Sequence, residues 1–162
     1  MARDLTRRER MALERVAMRE QDADRRRVNF EEVNLGYTAE MAIAEAERCL
    51  LCARPTCIEG CPVGIDIREF IRLTADGEFL DAADVIARSS SLPAVCGRVC
   101  PQENQCEGTC VLARKDKPIA IGHLERFVAD FAREHGRPPT HDEVPKTGKR
   151  AAVVGSGPAG LA

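Results

Sequence analysis

The chain has 162 residues and a formal net charge of −2, enough length for one domain with a hydrophobic core and short flanking segments. The near-neutral charge gives no electrostatic reason to expect a nucleic-acid or membrane-surface partner. Aromatic residues are scarce, with five Phe, one Tyr and no Trp, and metal ligation is a common additional source of stability in such small domains.

The eight cysteines and the N-terminus together indicate a reducing compartment. No apolar run reaches the length that spans a bilayer, and the charged N-terminus lacks the continuous apolar stretch of a signal peptide. We therefore expect a cytoplasmic protein without a membrane partner. In that compartment clustered cysteines are more often metal ligands or redox groups than structural disulfides.

The predicted elements are almost entirely helical. Residues 1–28 form a charged N-terminal arm, interpreted as a solvated extension. After Gly36, Thr38 is expected to cap a helix that runs from Ala39 to about Cys52. Apolar periodicity and stop signals predict three further helices, over 67–75, 79–87 and 121–135. The second group of cysteines is expected on a loop.

The composition changes after the last of these helices. Residues 137–149 are rich in Pro and Gly and are predicted to be a linker. Residues 150–154 are β-prone and lead into the G-x-G-x-x-G spacing of Gly155, Gly157 and Gly160. After a strand, this spacing places a dinucleotide pyrophosphate at a helix N-terminus, although a chance glycine-rich turn is the alternative. Because a βαβ unit needs about 30 residues, we expect residues 150–162 to be the truncated start of an FAD/NAD(P)-binding domain that cannot hold its cofactor tightly.

The cysteines fall into two runs that carry the main chemical signal. They are Cys49-x2-Cys52-x4-Cys57-x3-Cys61 and Cys96-x3-Cys100-x5-Cys106-x3-Cys110, with Pro62 and Pro101 each directly after a cysteine. Thiolates are soft ligands that suit iron–sulfur clusters, Cu(I) or zinc. The short irregular gaps and the Cys-Pro pairs are typical of ferredoxin-type runs, whereas structural zinc sites favour two paired knuckles separated by a longer spacer. The spacing therefore favours two [4Fe–4S] clusters over zinc, with disulfides third.

Several segments resemble the glutamate synthase small-subunit family. They are NFEEVNLGYTAEMAIAEAERCLLC, PTCIEGCPVGIDI, SLPAVCGRVCPQENQCEGTC, IGHLERFVADF and VVGSGPAGLA. The family includes the large subunit of NADH-dependent ferredoxin:NADP oxidoreductase, an electron-bifurcating transhydrogenase, and the N-terminal part of dihydropyrimidine dehydrogenase. The resemblance implies a mainly α domain over 29–136 that carries two [4Fe–4S] clusters, ahead of domains for FAD and NADP(H) in the full-length protein. The FAD domain would be of the Rossmann type, and residues 150–154 would be its first strand.

The resemblance also implies a ligand set for each cluster. The first cluster would be held by Cys49, Cys52, Cys57 and Cys110. The second would be held by Cys61, Cys100, Cys106 and Glu125, which makes Cys96 a non-ligand beside the site. Without the resemblance, Glu125 is read as a solvated helix residue paired with Arg126 or Arg133, and a count of cysteines makes Cys96 the eighth ligand.

These expectations combine into an electron-transfer function. The module would relay electrons between an FAD/NADPH oxidoreductase domain of the same polypeptide and a partner redox subunit, and would not be catalytic by itself. The alternative is a structural metal-binding interaction module without a redox role. Arg98, which lies between Cys96 and Cys100, is either a hydrogen-bond donor to a cluster sulfur or a flavin, or an ordinary surface arginine.

Overall fold

The computed structural model describes residues 3–115, 117–136, 145 and 147–161, and helices dominate it. The helices are α1 Arg7–Ala12, α2 Ala23–Arg26, α3 Ala39–Ala46, α4 Thr56–Glu59, α5 Ile67–Asp76, α6 Phe79–Ala87, α7 Pro93–Val99, α8 Ile121–Glu134 and α9 Pro158–Leu161. Two 3-10 turns span Gln102–Asn104 and Val111–Lys115. The mainly α fold class is thus confirmed. The predicted linker lies outside the described residues except for 145 and 147–149.

Two short strands, which the sequence analysis did not predict, complete the described elements. They are β1 Arg19–Glu20 and β2 Asn34–Gly36, and they pair antiparallel with Arg19 opposite Gly36 and an irregular register after it. This small ribbon joins two parts of the chain that precede α3. Within the described residues, every helix is too short or too polar to cross a lipid bilayer.

Local capping chemistry explains most of the helix boundaries. Thr38 Oγ1 accepts a hydrogen bond from the backbone N–H of Met41 at 3.3 Å, as predicted for the start of α3. Asp66 Oδ1 accepts the N–H of Glu69 at 3.1 Å at the start of α5. Helix α5 then stops at Gly77, whose φ of 83° is the left-handed C-cap that glycine adopts without a Cβ clash. The predicted helices over 67–75, 79–87 and 121–135 are confirmed to within one residue.

The structure corrects the prediction at two places around the cysteines. Helix α3 ends at Ala46 and not near Cys52. Leu51 has a φ of 47°, a left-handed conformation that a right-handed helix excludes, so the first cysteines lie on an irregular loop. Helix α7 occupies a region for which a loop is predicted. Its start at Pro93 follows the preference of proline for the first turn of a helix.

The hydrophobic core lies where α3, α5, α6 and α8 meet. Phe79 of α6 packs edge-on against Phe127 and Phe131 of α8, with ring centroids 4.9 Å from each. Leu124 and Val128 on the same helix are fully buried. These contacts determine which face of α8 packs into the core. Other positions on α8 lie close to α7.

The N-terminal arm packs against this core, unlike the solvated extension that its charge predicts. Glu45 of α3 is completely buried and accepts hydrogen bonds from the backbone N–H groups of Val16 at 2.7 Å and Ala120 at 2.9 Å. It also pairs with the buried Arg48, which donates to the carbonyl of Leu13 at 3.3 Å. A buried ion pair is costly to break because one charge is left without a partner. The pair therefore ties the arm and the segment before α8 to α3.

Candidate metal centre

The four cysteines of the first predicted set line one cavity. They are Cys49, Cys52, Cys57 and Cys110. The other walls are mainly apolar and include Leu50, Ile67, Ile71, Leu112, Ile119 and Ile121. The thiols come from the loop after α3, from α4 and from the residue before the second 3-10 turn. Four thiols that converge on one apolar space are a ligand set that suits a four-iron cluster.

Two contacts hold the first cysteine loop against the second. The hydroxyl of Thr56 donates a hydrogen bond to the carbonyl of Thr109 at 2.6 Å. Gly60 packs so closely that a Cβ there would lie 2.8 Å from the carbonyl oxygen of Gln105. Because Thr109 directly precedes Cys110, these contacts bring Cys110 to the cavity that the first run forms.

Burial raises the pKa of two thiols in this cavity. Loss of hydration is the largest cause, and it raises the pKa of Cys49 to about 11 and that of Cys57 to about 12. Nearby cysteines add to the shift, whereas the guanidinium of Arg10 opposes it at Cys49. Thiols with such pKa values are protonated at neutral pH, so metal binding at this cavity must release protons.

The second predicted set gathers where α7 and the following loop meet α8. Burial raises the pKa of Cys100 to about 11 and that of Cys106 to about 12. Cys61 and Glu125 are among the negative groups that raise both values further, so both lie near these two thiols. Electrostatic interactions thus link Cys100 and Cys106 with both Cys61 and Glu125, although the four residues come from separate places in the chain.

Glu125 is buried and is not the solvated residue that its helix position suggests. The residue is 7% exposed, and its Oε1 has no hydrogen-bond partner among the described residues. Burial alone raises its pKa to about 7. Arg126 instead donates to the carbonyl of Asn34 at 2.7 Å. A buried carboxylate oxygen without a partner is rare because its lost hydration is uncompensated, and it fits a residue that coordinates a metal cluster.

Cys96 lies in the same second group. Its side chain interacts with that of Cys100, and the hydroxyl of Ser90 approaches its Sγ at 4.0 Å. Together with the four predicted ligands, Cys96 makes five donor side chains. A cubane cluster with four iron corners needs four of them.

A close approach of two helices makes this second group possible. A Cβ at Gly97 of α7 would lie 2.6 Å from the backbone nitrogen of Arg126 on α8. Glycine thus allows α7, which carries Cys96 and ends before Cys100, to reach the turn of α8 that carries Glu125. The sequence analysis did not single out Gly97. The available signal is a glycine inside a short helical stretch, which often has a packing reason.

A single metal ion and a cluster make different demands on these residues. Within the described part of the chain, no three His, Cys, Asp or Glu side chains lie close enough together to hold one metal ion. In a cubane each ligand binds its own iron, so the ligands stand apart around a shared volume. Two features are relevant to binding a cluster: the cavity that the first group lines and the unpartnered carboxylate of the second group.

The hydrogen bonds of the Arg98 side chain go to two carboxylates and a backbone carbonyl. Its guanidinium donates to Glu32 at 2.8 Å and to Asp130 at 2.7 Å, and it also donates to the carbonyl of Ala94. These carboxylates hold the pKa of Arg98 above its usual value. The arrangement agrees with the interpretation of Arg98 as a surface arginine in an ion-pair network.

The glycine-rich segment, for which a chance turn is the alternative to a cofactor-binding fingerprint, forms a turn that leads into α9. Gly155 has a φ of 109°, and the N–H of Gly160 donates to the carbonyl of Gly157 at 2.9 Å at the start of α9. Gly160 also packs against the carbonyl of Gly155, where a Cβ would clash. Residues 150–154 are exposed and form no hydrogen-bonded strand in the structure as described. The first strand of a Rossmann-type domain therefore stays a prediction.

Comparison with known proteins agrees with the iron–sulfur interpretation. The family described as dihydropyrimidine dehydrogenase domain II, 4Fe-4S cluster, matches residues 26–137. The glutamate synthase [NADPH] small chain of Escherichia coli (strain K12) is 41% identical over 137 residues, which are 85% of this chain and 29% of that protein. The NAD-dependent dihydropyrimidine dehydrogenase subunit PreT of the same strain is 42% identical over 132 residues, 82% of this chain and 32% of that protein.

A second glutamate synthase [NADPH] small chain, from Halomonas elongata, is 42% identical over 132 residues, 82% of this chain and 28% of that protein. This chain thus spans about a third or less of the length of these relatives. The region that matches the family contains all eight cysteines and Glu125. The chain therefore belongs to the family described as dihydropyrimidine dehydrogenase domain II, 4Fe-4S cluster.

Proposed function

We propose that this chain is an electron-transfer module that holds two [4Fe–4S] clusters. The observation that carries the proposal is the buried, unpartnered Oε1 of Glu125, which lies beside thiols that do not line the first cavity. Two separate groups of donors are what two clusters require. When bound, such clusters accept and donate single electrons, which suits a relay.

The ligands follow from the two groups of donors. The first cluster is held by Cys49, Cys52, Cys57 and Cys110. The second is held by Cys61, Cys100, Cys106 and Glu125. Cys96 is a neighbour without a bond to iron, because a cubane takes four ligands and the buried Glu125 oxygen has no other partner in the described structure. Cys61, which directly precedes Pro62, leaves its own run to serve the other cluster, as in ferredoxin-type runs.

The surrounding residues control the environment of each cluster. The apolar walls of the first cavity limit access of water, and burial of this kind is a main determinant of a cluster's potential. At the second group a carboxylate replaces one thiolate. Because a carboxylate is a harder ligand than a thiolate, the two clusters differ in potential.

The wider context of the proposal is a flavoprotein. Residues 1–28 are an arm, 29–136 the cluster domain, 137–149 a linker, and 150–162 the start of an FAD/NAD(P)-binding domain that contains Gly155, Gly157 and Gly160. Electrons then pass between a flavin domain that uses NADP(H), on the same polypeptide, and a partner redox subunit. The support is the glycine turn before α9 and the names of the relatives, which are a NADPH glutamate synthase chain and a subunit of an NAD-dependent dehydrogenase.

Metal analysis of protein purified without oxygen tests the two-cluster function. We expect about eight irons and about eight acid-labile sulfides per chain, with an EPR signal that appears on reduction. Stoichiometric zinc, or clusters that do not change oxidation state, would instead favour a structural metal-binding module. That outcome would overturn the electron-transfer proposal.

The matched pair Glu125→Ala and Cys96→Ser tests the ligand assignment separately. We expect the Glu125→Ala protein to lose about four irons per chain, while the Cys96→Ser protein keeps about eight. If instead Cys96→Ser lost about four irons and Glu125→Ala kept about eight, the two-cluster function would stand and Cys96 would be the eighth ligand. Circular dichroism of both variants checks that the helices are retained.

A further inference from the structure

The N-terminal arm reaches the first cysteine loop through an arginine of α1. One Nη of Arg10 donates hydrogen bonds to the carbonyls of Glu47 at 2.8 Å and of Cys49 at 3.1 Å. Its Nε donates to the carbonyl of Leu5 at 3.2 Å, which braces the side chain from the arm itself. Arg10 therefore clamps the point where α3 ends and the loop with Cys49 begins.

The position of Arg10 is fixed by contacts on both sides of it. Before α1, Arg3 donates through its Nε to the carboxylate of Glu47 at 2.8 Å. The helix begins with a capping box between Thr6 and Glu9. After the helix, the buried Arg48 donates to the carbonyl of Leu13. The short helix is thus anchored at its start and at its end, and Arg10 lies half-buried between the two anchors.

We propose that Arg10 is a positioning residue of the first cluster: it fixes the backbone at Cys49 and supplies a permanent positive charge that stabilises the reduced cluster. This inference rests on the proposed function, because it requires a cluster in the cavity lined by Cys49. Arginine keeps its charge at all relevant pH values. A half-buried charge is also screened by salt less than an exposed one.

The direction of the effect follows from charge. Reduction adds one electron to a cluster that four thiolates already make negative, and no bond at Arg10 forms or breaks. The positive guanidinium, which donates to the carbonyl of Cys49, stabilises the more negative reduced cluster more than it stabilises the oxidised cluster. It therefore raises the reduction potential of the first cluster, and its removal lowers that potential.

An EPR-monitored redox titration of the cluster-loaded protein tests the proposal with three variants of the arm. Arg10→Gln removes the charge and the fork of donors, and Arg10→Lys keeps the charge alone. Arg8→Gln removes the same charge from an exposed position on the same helix. The signal of the first cluster is identified as the one that a Cys57→Ser variant loses.

We expect Arg10→Gln to make reduction of the first cluster about tenfold less favourable, which is a potential lower by about 59 mV for one electron. Arg10→Lys should recover most of this shift, and Arg8→Gln should change the equilibrium less than about twofold because exposed charges are screened. An unchanged potential in Arg10→Gln would overturn the inference. A higher potential would also overturn it, because it would show only that the arm detaches and that water then stabilises the more highly charged reduced cluster.

Iron and sulfide content separates this inference from the proposed function. If wild type and Arg10→Gln both hold two clusters and their potentials are equal, the role of Arg10 is wrong and the two-cluster module stands. If wild type itself lacks the first cluster, the proposed function fails first. If Arg10→Gln alone loses the first cluster while Arg10→Lys retains it with the wild-type potential, the positive charge at Arg10 is supported and its fork of donors is not required.

Discussion

The two groups of proposed ligands are built in different ways. The first group takes three of its four cysteines from residues 49–57 and closes an apolar cavity with Cys110. The second takes its members from the turn after α4, from the residue that follows α7, from the loop beyond it and from α8, and it includes a buried carboxylate. The first group therefore depends mainly on local loop structure, whereas the second depends on how helices pack.

This difference teaches that similar cysteine runs do not make similar sites. Loss of hydration raises the pKa of two thiols in each group, so metal binding at either group would release protons from them. Only the second group contains a carboxylate oxygen without a partner in the described structure. The surroundings of the donors, more than the spacing of cysteines, distinguish the two groups.

The largest expected effect comes from removing one thiol of each group in turn. In Cys57→Ser we expect loss of the first cluster only, and in Cys106→Ser loss of the second only, with about four irons remaining in each variant. The physical reason is that Cys57 lines the first cavity while Cys106 interacts with Cys61 and Glu125. Iron analysis and EPR of the reduced proteins provide the measurement.

The comparison between the groups would break if either serine variant lost all of its iron. That result would mean that the two groups fold as one cooperative unit. The Cys96→Ser protein is the matched control, because it makes the same chemical change at a half-buried cysteine that is not a proposed ligand.

A smaller effect is expected from closing the gap between α7 and α8. In Gly97→Ala the new methyl group meets the backbone nitrogen of Arg126, so the helices must move apart. Overpacking of this kind costs about 1–3 kcal/mol of folding free energy, and here it also draws Glu125 away from Cys100. We expect thermal denaturation at lower temperature and selective loss of iron from the second cluster.

Gly136→Ala is the control for this prediction. Gly136 has a φ of 70°, but the space around it is open. Alanine there costs about 1–2 kcal/mol of backbone strain without touching either group of ligands. If Gly136→Ala and Gly97→Ala lost equal amounts of second-cluster iron, general destabilisation would explain both results and the close approach would have no special role.

The smallest effect is expected at Arg98. In Arg98→Ala the ion pairs with Glu32 and Asp130 are lost, and such surface pairs contribute about 1 kcal/mol or less. Because these carboxylates engage its guanidinium, we expect both clusters to keep their iron and their potentials. A shift of the second cluster's potential in a redox titration would show instead that Arg98 acts on the site.

The sequence predicted a large part of the fold correctly, while the ligand set that the resemblance implies stays a prediction. Helices α5, α6 and α8 follow from apolar periodicity and local caps such as Asp66, which act over a few residues. The end of α3 was missed because the left-handed Leu51 carries no glycine or asparagine signal. Helix α7 was missed because its cysteines suggested a loop. The docking of the arm was missed because its charges resemble those of a solvated segment.

Sequence by itself determined the chemistry of this protein: thiol donors in two irregular runs, a mainly helical chain, and membership in an iron–sulfur family. Tertiary structure decided which donors meet. Glycine at position 97 lets two helices approach, burial strips Glu125 of water, and the Glu45–Arg48 pair brings the arm and Arg10 to the first loop. The reason is physical: ligand type is a property of single residues, whereas burial and proximity arise only when distant segments pack together.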